Sequence, residues 1–153
     1  MLQLTKRTEY GLIALVHLAD RVGEVVSARE ICDQYPVPRR LLAEVMKDLL
    51  RAGLVDSTLG ANGGYQLTRS AENISLGEIV AAIEGAPSLT SCEGHADGTD
   101  TQCEVHPVCP IRSPLQRVRH GIWVLLHSTT LSSLTAESAA PMAALATESI
   151  SPR

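Results

Sequence analysis

The strongest constraint on the fold comes from residues 36–68, where a proline-bounded helical pattern runs directly into a glycine-rich turn. Pro38 stands at a first helical turn, and apolar residues then recur at helical spacing until Gly53, a residue typical of helix C-termini. Two short β-like runs follow, at residues 54–59 and 65–68, and the glycines between them favour a hairpin. The apolar helix positions are Leu41, Leu42, Val45, Met46, Leu49 and Leu50.

Two further helical patterns precede this unit. Residues 8–21 are apolar around almost the whole helical circumference, which indicates a helix packed on several sides. Ser27 and Glu30 form an S-x-x-E capping pattern for a second helix, and Cys32 lies on its apolar stripe, where we expect a small core residue and not a ligand. Helix, short helix, turn, helix and hairpin is the order of a winged helix-turn-helix. Ordinary solvated helices with a surface hairpin would give the same local patterns, because such patterns are unspecific in single sequences.

The rest of the chain adds two helical patterns on either side of a cysteine-rich loop. Ser75 and Glu78 form a capping box for a helix that ends near residue 84. After the loop, Ser113 opens a pattern that predicts a long helix over 113–134. With little left in its own chain to pack against, this helix is expected to pair with a second copy, giving a homodimer. Its apolar stripe comprises Leu115, Val118, Ile122, Leu125 and Leu126.

Composition supports a mainly α fold, and the patterns along the chain divide it into four parts. The chain has no Phe and only 3% aromatic residues, so the core must be built from Leu, Ile, Val and Ala, which favours helix packing. We predict a DNA-binding winged helix-turn-helix domain over 1–84, a cysteine loop over 85–112, a dimerisation helix over 113–134 and a disordered tail over 135–153. No apolar stretch resembles a signal peptide or a membrane span, which predicts a cytoplasmic protein.

Charge is unevenly distributed along the chain. The net charge is −4, which alone disfavours a nucleic-acid partner. Nine cations against eight acids precede residue 71, giving +1 there, and four cations against nine acids follow, giving −5. The basic-leaning half coincides with the predicted DNA-binding unit.

The loop CEGHADGTDTQCEVHPVC predicts a metal centre. It places Cys92, Cys103 and Cys109 with His95 and His106 in a segment without an apolar run that could bury them. In a reducing compartment, clustered cysteines favour metal ligation over disulfides. Thiolates suit iron-sulfur clusters, whereas three cysteines with one histidine would equally suit tetrahedral zinc, so spacing leaves both open. No nucleophile-base pair or phosphate-binding glycine loop indicates an enzyme.

Four segments together resemble one family. LTKRTEYGLIALVHLA, GLVDSTLGANGGYQL, ISLGEIVAAIEG and a C-x10-C-x5-C spacing before a long helix are similar to the iron-sulfur-dependent winged helix-turn-helix regulators of the IscR and NsrR type, over residues 2–134. The resemblance implies a bacterial, homodimeric transcription regulator whose affinity for palindromic double-stranded DNA depends on an iron-sulfur cluster. It implies Cys92, Cys103 and Cys109 as ligands of a 2Fe-2S or 4Fe-4S cluster, with zinc-stabilised DNA binding without sensing as the alternative.

The chain departs from the family pattern at two places. Some members have a histidine ligand three residues after the last cysteine, and here that position is Arg112. Other members use a carboxylate from the first helix of the partner subunit, and Glu9 matches its position. Glu9 is therefore the first candidate for the fourth ligand, and His106 is the second. At the wing, Leu59 replaces an arginine that is suited to a narrow minor groove. Asn62 and Arg69 are candidate substitutes for that contact.

The expected DNA contacts follow from the docking of such folds. The third helix should lie in the major groove, with Arg39 and Arg40 near phosphates or guanine edges. Glu44 and Lys47 lie farther along the same face. Contacts to backbone phosphate are predicted for Lys6, Arg7 and Arg29, and wing contacts for Asn62, Gly63 and Gly64.

Overall fold

The computed structural model describes residues 3–85, 88–89, 105 and 108–135. Within them, the elements are α1 (Lys6–Ala19), α2 (Ala28–Gln34), α3 (Arg39–Arg51), β1 (Val55–Thr58), β2 (Gly64–Leu67), α4 (Leu76–Glu84) and α5 (Arg112–Ser128), with short 3-10 turns at Ala71–Asn73 and Leu131–Leu134. The order confirms the predicted winged helix-turn-helix with a long C-terminal helix. None of the described helices is both long and apolar enough to span a membrane.

The core lies where α1, α3 and α4 meet. None of its fully buried side chains is aromatic, and most are Leu, Ile or Val, as the shortage of aromatic residues predicted. Cys32 is half-buried and packs against this core, as expected of a small apolar residue on the stripe of α2. The largest buried side chains are Leu15, Ile31, Leu42, Met46, Leu49, Leu54, Ile74, Ile79 and Leu131.

The two predicted capping boxes have different outcomes. At α4 the box is complete, because Ser75 Oγ accepts from the Glu78 amide at 3.2 Å and the Glu78 carboxylate accepts from the Ser75 amide at 2.9 Å. At α2 only the first half is seen: Ser27 Oγ accepts from the Glu30 amide at 3.2 Å, while the Glu30 carboxylate pairs with Arg21 at 2.9 Å. Arg21, which lies outside α2, thus pairs with the Glu30 carboxylate that the capping pattern assigned to the helix N-terminus.

Gly53 ends α3 and fixes the start of the wing. Its φ of 69° is left-handed, its amide donates to Leu50 O at 3.0 Å, and the Leu54 amide donates to Leu49 O at 3.0 Å, which together make a Schellman motif. Leu54 is buried, so the hairpin leaves α3 from an anchored residue. The strands pair antiparallel in the register Val55↔Leu67 to Thr58↔Gly64.

The C-terminal helix differs from its prediction at both ends. It begins at Arg112 after the N-cap Ile111, with no side-chain cap, so Ser113 is not the capping residue. It ends at Ser128 and not at residue 134, because the following segment turns back onto the domain. There the Leu76 amide donates to Thr129 O at 2.8 Å and the Leu131 amide to Ile74 O at 2.8 Å.

The expectation that this helix has little of its own chain to pack against is therefore wrong in part. Leu131 is fully buried in the core, and the ring of His127 covers Gly77, where a Cβ would lie 2.2 Å from His127 Nδ1. Yet α5 itself contributes no buried residue, and Val118, Val124 and Leu125 are more than half exposed. One face of α5 contacts α4, and another is left uncovered by the residues that the structure describes.

Candidate nucleic-acid interface and cysteine loop

Helix α3 presents the predicted reading face to solvent. The side chains of Arg39 and Arg40 are 73% and 94% exposed, and Ala43, Glu44 and Lys47 continue the exposed row. The opposite face is buried at Leu42, Val45, Met46 and Leu49, so the helix cannot rotate without losing its core contacts. Leu41 is only half-buried and Leu50 is exposed, so the buried stripe is narrower than predicted.

Acidic neighbours hold the cations at the N-terminal end of this face. Asp33 on α2 forms ion pairs on both sides, with Arg29 Nε at 3.5 Å and Arg39 Nη2 at 3.8 Å. Arg40 Nε lies 3.3 Å from Glu44 Oε1, one turn along the helix. All these groups are exposed, so each pair contributes less than about 1 kcal/mol and can yield to phosphate.

The cations predicted on α1 are also paired. Lys6 Nζ lies 2.5 Å from Glu9 Oε2, and this carboxylate raises the pKa of Lys6 through its hydrogen bond and its charge. Arg7 Nη2 lies 2.5 Å from Asp48 Oδ2, which joins α1 to α3. Among the predicted cations, only Lys47 has no acidic group of the described residues within salt-bridge distance. Asp33 and Asp48 were not among the residues predicted from the sequence. Of their contacts to these cations, only the pair of Arg29 and Asp33 has a spacing, i, i+4, that could have been detected in the sequence.

The wing is a tight hairpin whose glycines are required by close backbone packing. A Cβ on Gly63 would lie 2.3 Å from Thr58 O, and one on Gly64 would lie 2.3 Å from Val26 O. Asn62 is exposed at the tip. Arg69 does not extend toward the tip, because its guanidinium donates to Asn73 O at 3.0 Å and to Glu78 at 2.9 Å.

A carboxylate at the end of α4 is bound to the start of α1. Glu84 Oε1 accepts from the Thr5 amide at 2.9 Å, from Thr5 Oγ1 at 2.8 Å and from Thr8 Oγ1. Partial burial raises the pKa of Glu84, but the hydrogen bonds from Thr8 and Thr5 outweigh it and bring the pKa below its ordinary value. This contact was not predicted from the sequence. It fixes the residue from which the cysteine loop departs to the helix that carries Lys6 and Arg7.

The predicted metal ligands are only partly within the described residues. Cys109 is half-buried and lies two residues before the N-cap of α5. Glu9 is on the first turn of α1, at its exposed end. Within the part of the chain that the structure describes, no three His, Cys, Asp or Glu side chains are grouped as a metal site. The other candidates, Cys92, Cys103, His95 and His106, lie outside the described residues.

Comparisons with known proteins agree with this geometry. A sequence model of the Rrf2 family, described as an iron-dependent transcriptional regulator, matches residues 4–137. CymR of B. subtilis, described as its global cysteine regulator, has 28% sequence identity and a TM-score of 0.68 over 90% of this chain and 98% of its own. IscR of T. potens has 28% identity and a TM-score of 0.63, over 87% of this chain and 85% of its own. A putative transcriptional regulator from Listeria innocua has 27% identity and a TM-score of 0.71, over 99% of this chain and 96% of its own.

The fold and the exposed cationic helix define a DNA-binding winged-helix transcription regulator. The match over residues 4–137 identifies the family: the chain belongs to the Rrf2 family of transcription regulators. These regulators bind DNA and are typically dimeric. The resemblance noted in the sequence is thereby confirmed at the level of the family.

Proposed function

We propose that this regulator binds a palindromic operator as a homodimer and that an iron-sulfur cluster in the loop 85–111 controls its affinity. The observation that carries the proposal is the position of Cys109, half-buried at the junction between the cysteine loop and the exposed apolar helix α5. A ligand at that junction can act on the relative placement of two subunits. The family description as iron-dependent and the likeness to IscR support the same reading.

The donor set fits the cluster. Cys92, Cys103 and Cys109 supply three thiolates, which are the ligands that iron-sulfur clusters use. The first turn of α5 contains no acidic residue and carries the cation Arg112, so this end of the helix favours an anionic group beside Cys109. When bound, a cluster supplies a redox-sensitive and nitric-oxide-sensitive group, and the protein's own residues supply its binding and readout.

DNA reading is assigned to α3 in the major groove. Arg39 and Arg40 project from its N-terminal turn, where side chains of such helices reach base edges. Arginine recognises guanine in a bidentate manner, whereas Glu44 can accept from a cytosine amino group or orient Arg40. Lys6, Arg7, Arg29 and Lys47 are assigned to phosphate contacts, which position the protein without reading sequence.

The dimer interface is assigned to the open face of α5. Val118 and Leu125 are 53% and 64% exposed, and Leu115 and Ile122 lie half-buried along the same row. Four such residues at helical spacing form an apolar stripe that water would otherwise cover. Pairing two copies buries this stripe and sets the separation of the two α3 helices.

Coupling between loop and DNA follows from the two ends of the loop. At one end, Glu84 holds Thr5 and Thr8 of α1, and at the other end Cys109 leads into α5. A change in the loop can therefore shift α1 with its phosphate-binding cations, or the dimer helix. A coupling free energy of about 1.4 kcal/mol suffices for a tenfold change in affinity.

The decisive experiment is anaerobic purification followed by an absorption spectrum and by determination of iron, acid-labile sulfide and zinc per chain. A coloured protein with similar amounts of iron and sulfide supports the cluster. A colourless protein that holds about one zinc per chain after cluster reconstitution replaces the proposal by a zinc-stabilised DNA-binding protein without sensing.

Cysteine variants test the ligands and the coupling together. Cys92→Ala, Cys103→Ala and Cys109→Ala should each remove the cluster absorption and change the affinity for DNA while the dimer persists. Cys32→Ala is the matched control, because Cys32 of α2 packs against the hydrophobic core of the domain, and its replacement should leave the absorption unchanged. Unchanged DNA affinity in all three loop variants would exclude coupling.

The fourth ligand is tested with a control for the ion pair on α1. Glu9→Ala removes both the proposed ligand and the partner of Lys6, whereas Lys6→Ala removes the same ion pair and leaves the carboxylate. Loss of the native cluster spectrum in Glu9→Ala alone assigns the ligand to Glu9. Loss of that spectrum in His106→Ala instead assigns the ligand to His106.

A cytoplasmic location, where thiols stay reduced, is part of the proposal.

A further inference from the structure

Leu59, at the tip of the wing, is a large apolar residue in solvent, and none of the DNA contacts proposed for α3 involves it. It is 93% exposed, the highest value of any large apolar residue among those described. It directly follows β1, and the buried Leu54 anchors that strand to the end of α3. The side chain therefore projects from the element that stands beside the reading helix.

The turn holds the backbone of this residue in place. Gly60 has a φ of 118°, and the Gly63 amide donates to Gly60 O at 3.0 Å. Thr58 pairs with Gly64 in the last register position, so Leu59 lies between a paired residue and a closed turn. A backbone that is already fixed reduces the conformational entropy that is lost when a partner covers the side chain.

The wing cannot be held to DNA by charge. Residues 54–68 contain no Lys or Arg, and Asp56 is their one charged residue. Arg69, the nearest cation after the hairpin, is bound to Asn73 and Glu78. What the tip offers is a leucine flanked by the hydroxyl of Thr58 and the amide of Asn62.

We propose that Leu59 enters the minor groove of the operator as an apolar wedge beneath the wing. Apolar side chains that enter this groove act between base steps, and pyrimidine–purine steps such as TA and CA/TG open at least cost. The wing would then read DNA deformability through Leu59, while Thr58 and Asn62 supply hydrogen bonds to the backbone. This inference rests on the proposed docking of α3 in the major groove.

The test selects binding sites with the wild-type protein and with Leu59→Ala from a random-sequence duplex library. Wild type should enrich two half-sites flanked by pyrimidine–purine steps. Leu59→Ala should enrich the same half-sites without the flanking steps and should bind the wild-type duplex about tenfold more weakly. The salt dependence of that binding should stay unchanged, because no charge is lost.

A second substitution separates shape reading from charge. Leu59→Arg should steepen the dependence of log K on log salt by about 0.9 per wing and shift the flanks toward narrow A-tracts. Val22→Ala, at a residue 89% exposed in the turn after α1, is the control for loss of exposed apolar surface and should bind as wild type does.

Two results overturn the inference in distinguishable ways. Leu59→Ala binding within twofold of wild type, with unchanged flanking steps, removes the wedge but leaves α3 docking intact. Failure of the wild-type protein to enrich any duplex removes both the wedge and the proposed function. Thermal melting of each variant verifies folding, which a change at so exposed a position should not disturb.

Discussion

The contact between α1 and α4 gives a pH-dependent prediction. Thr8 is fully buried, and its hydroxyl donates to Glu84 Oε1 at the end of α4. Thr8→Val keeps the volume and branching of the side chain and removes only the hydroxyl. Glu84 would keep the two hydrogen bonds from Thr5.

The expected destabilisation at pH 7 is about 1 kcal/mol. A hydrogen bond to a charged group contributes about 1.5–3 kcal/mol, and we place this one lower because Glu84 is exposed and water screens its charge. Loss of the bond also moves the pKa of Glu84 upward, toward its ordinary value.

The sign of the pH dependence follows from the lowered pKa of Glu84 in the folded protein. Its contribution to stability is fully present above the unfolded pKa of about 4.3 and is lost as the pH falls through the lower folded pKa. The difference in free energy of unfolding between wild type and Thr8→Val should therefore be largest near pH 7 and shrink below pH 4. Urea unfolding at one fixed protein concentration measures it.

Thr68→Val is the matched control. The Thr68 hydroxyl donates to Gly53 O at 2.7 Å, a carbonyl that does not titrate. Its removal should destabilise the protein by a similar amount with no pH dependence in the difference. If Thr8→Val showed the same destabilisation at pH 3.5 as at pH 7, the charged form of Glu84 would not be what the hydroxyl stabilises, and the reasoning would fail.

Three further predictions concern α5 and the reading face. Gly77→Ala should destabilise the protein by about 1 kcal/mol, because the new Cβ displaces the ring of His127, and adding His127→Ala should recover most of the loss in a double-mutant cycle. Leu125→Glu should weaken dimerisation about 100-fold in sedimentation equilibrium, since each subunit would bury an unpaired carboxylate; an unchanged dimer would place the interface elsewhere. Lys47→Ala should weaken binding to all duplexes alike. In anisotropy titrations, the slope of log K against log salt should become shallower by about 0.9 per subunit, and a loss of affinity confined to one sequence would contradict a phosphate contact.

Local patterns predicted the local structure well. The capping box at Ser75, the left-handed Gly53 and the hairpin over 55–67 all depend on residues within a few positions of one another. Where a distant residue competes, the same patterns fail. Arg21 takes the carboxylate of Glu30 from its helix cap, a competition that no spacing records.

The end of α5 shows the same limit on a larger scale. Apolar residues continue to Leu134, so periodicity alone extends the helix. Thr129 and Thr130, β-branched residues with low helix propensity, stop it, and the backbone bonds to Ile74 and Leu76 replace the helical ones. For the site, the sequence predicted which α3 residues are exposed but not that Asp33 and Asp48 hold neighbouring cations. The pairs of Arg39 with Asp33 and of Arg7 with Asp48 arise from packing between helices.

The two anchors of the cysteine loop explain how one loop could act on a whole interface. Its first end is fixed through Glu84 to Thr5 and Thr8, and its last end enters α5, whose C-terminal continuation is hydrogen-bonded to Ile74. Both anchors reach α4, because Glu84 is its last residue and the amide of its first residue, Leu76, donates to Thr129 O at 2.8 Å. In the proposed mechanism, a change in the separation of the two loop ends would move α4 relative to α1 or α5. The pair of Arg7 with Asp48 joins α1 to the reading helix, so the same mechanism would pass such a displacement on to α3. A loop held at only one end could change shape freely without moving α3.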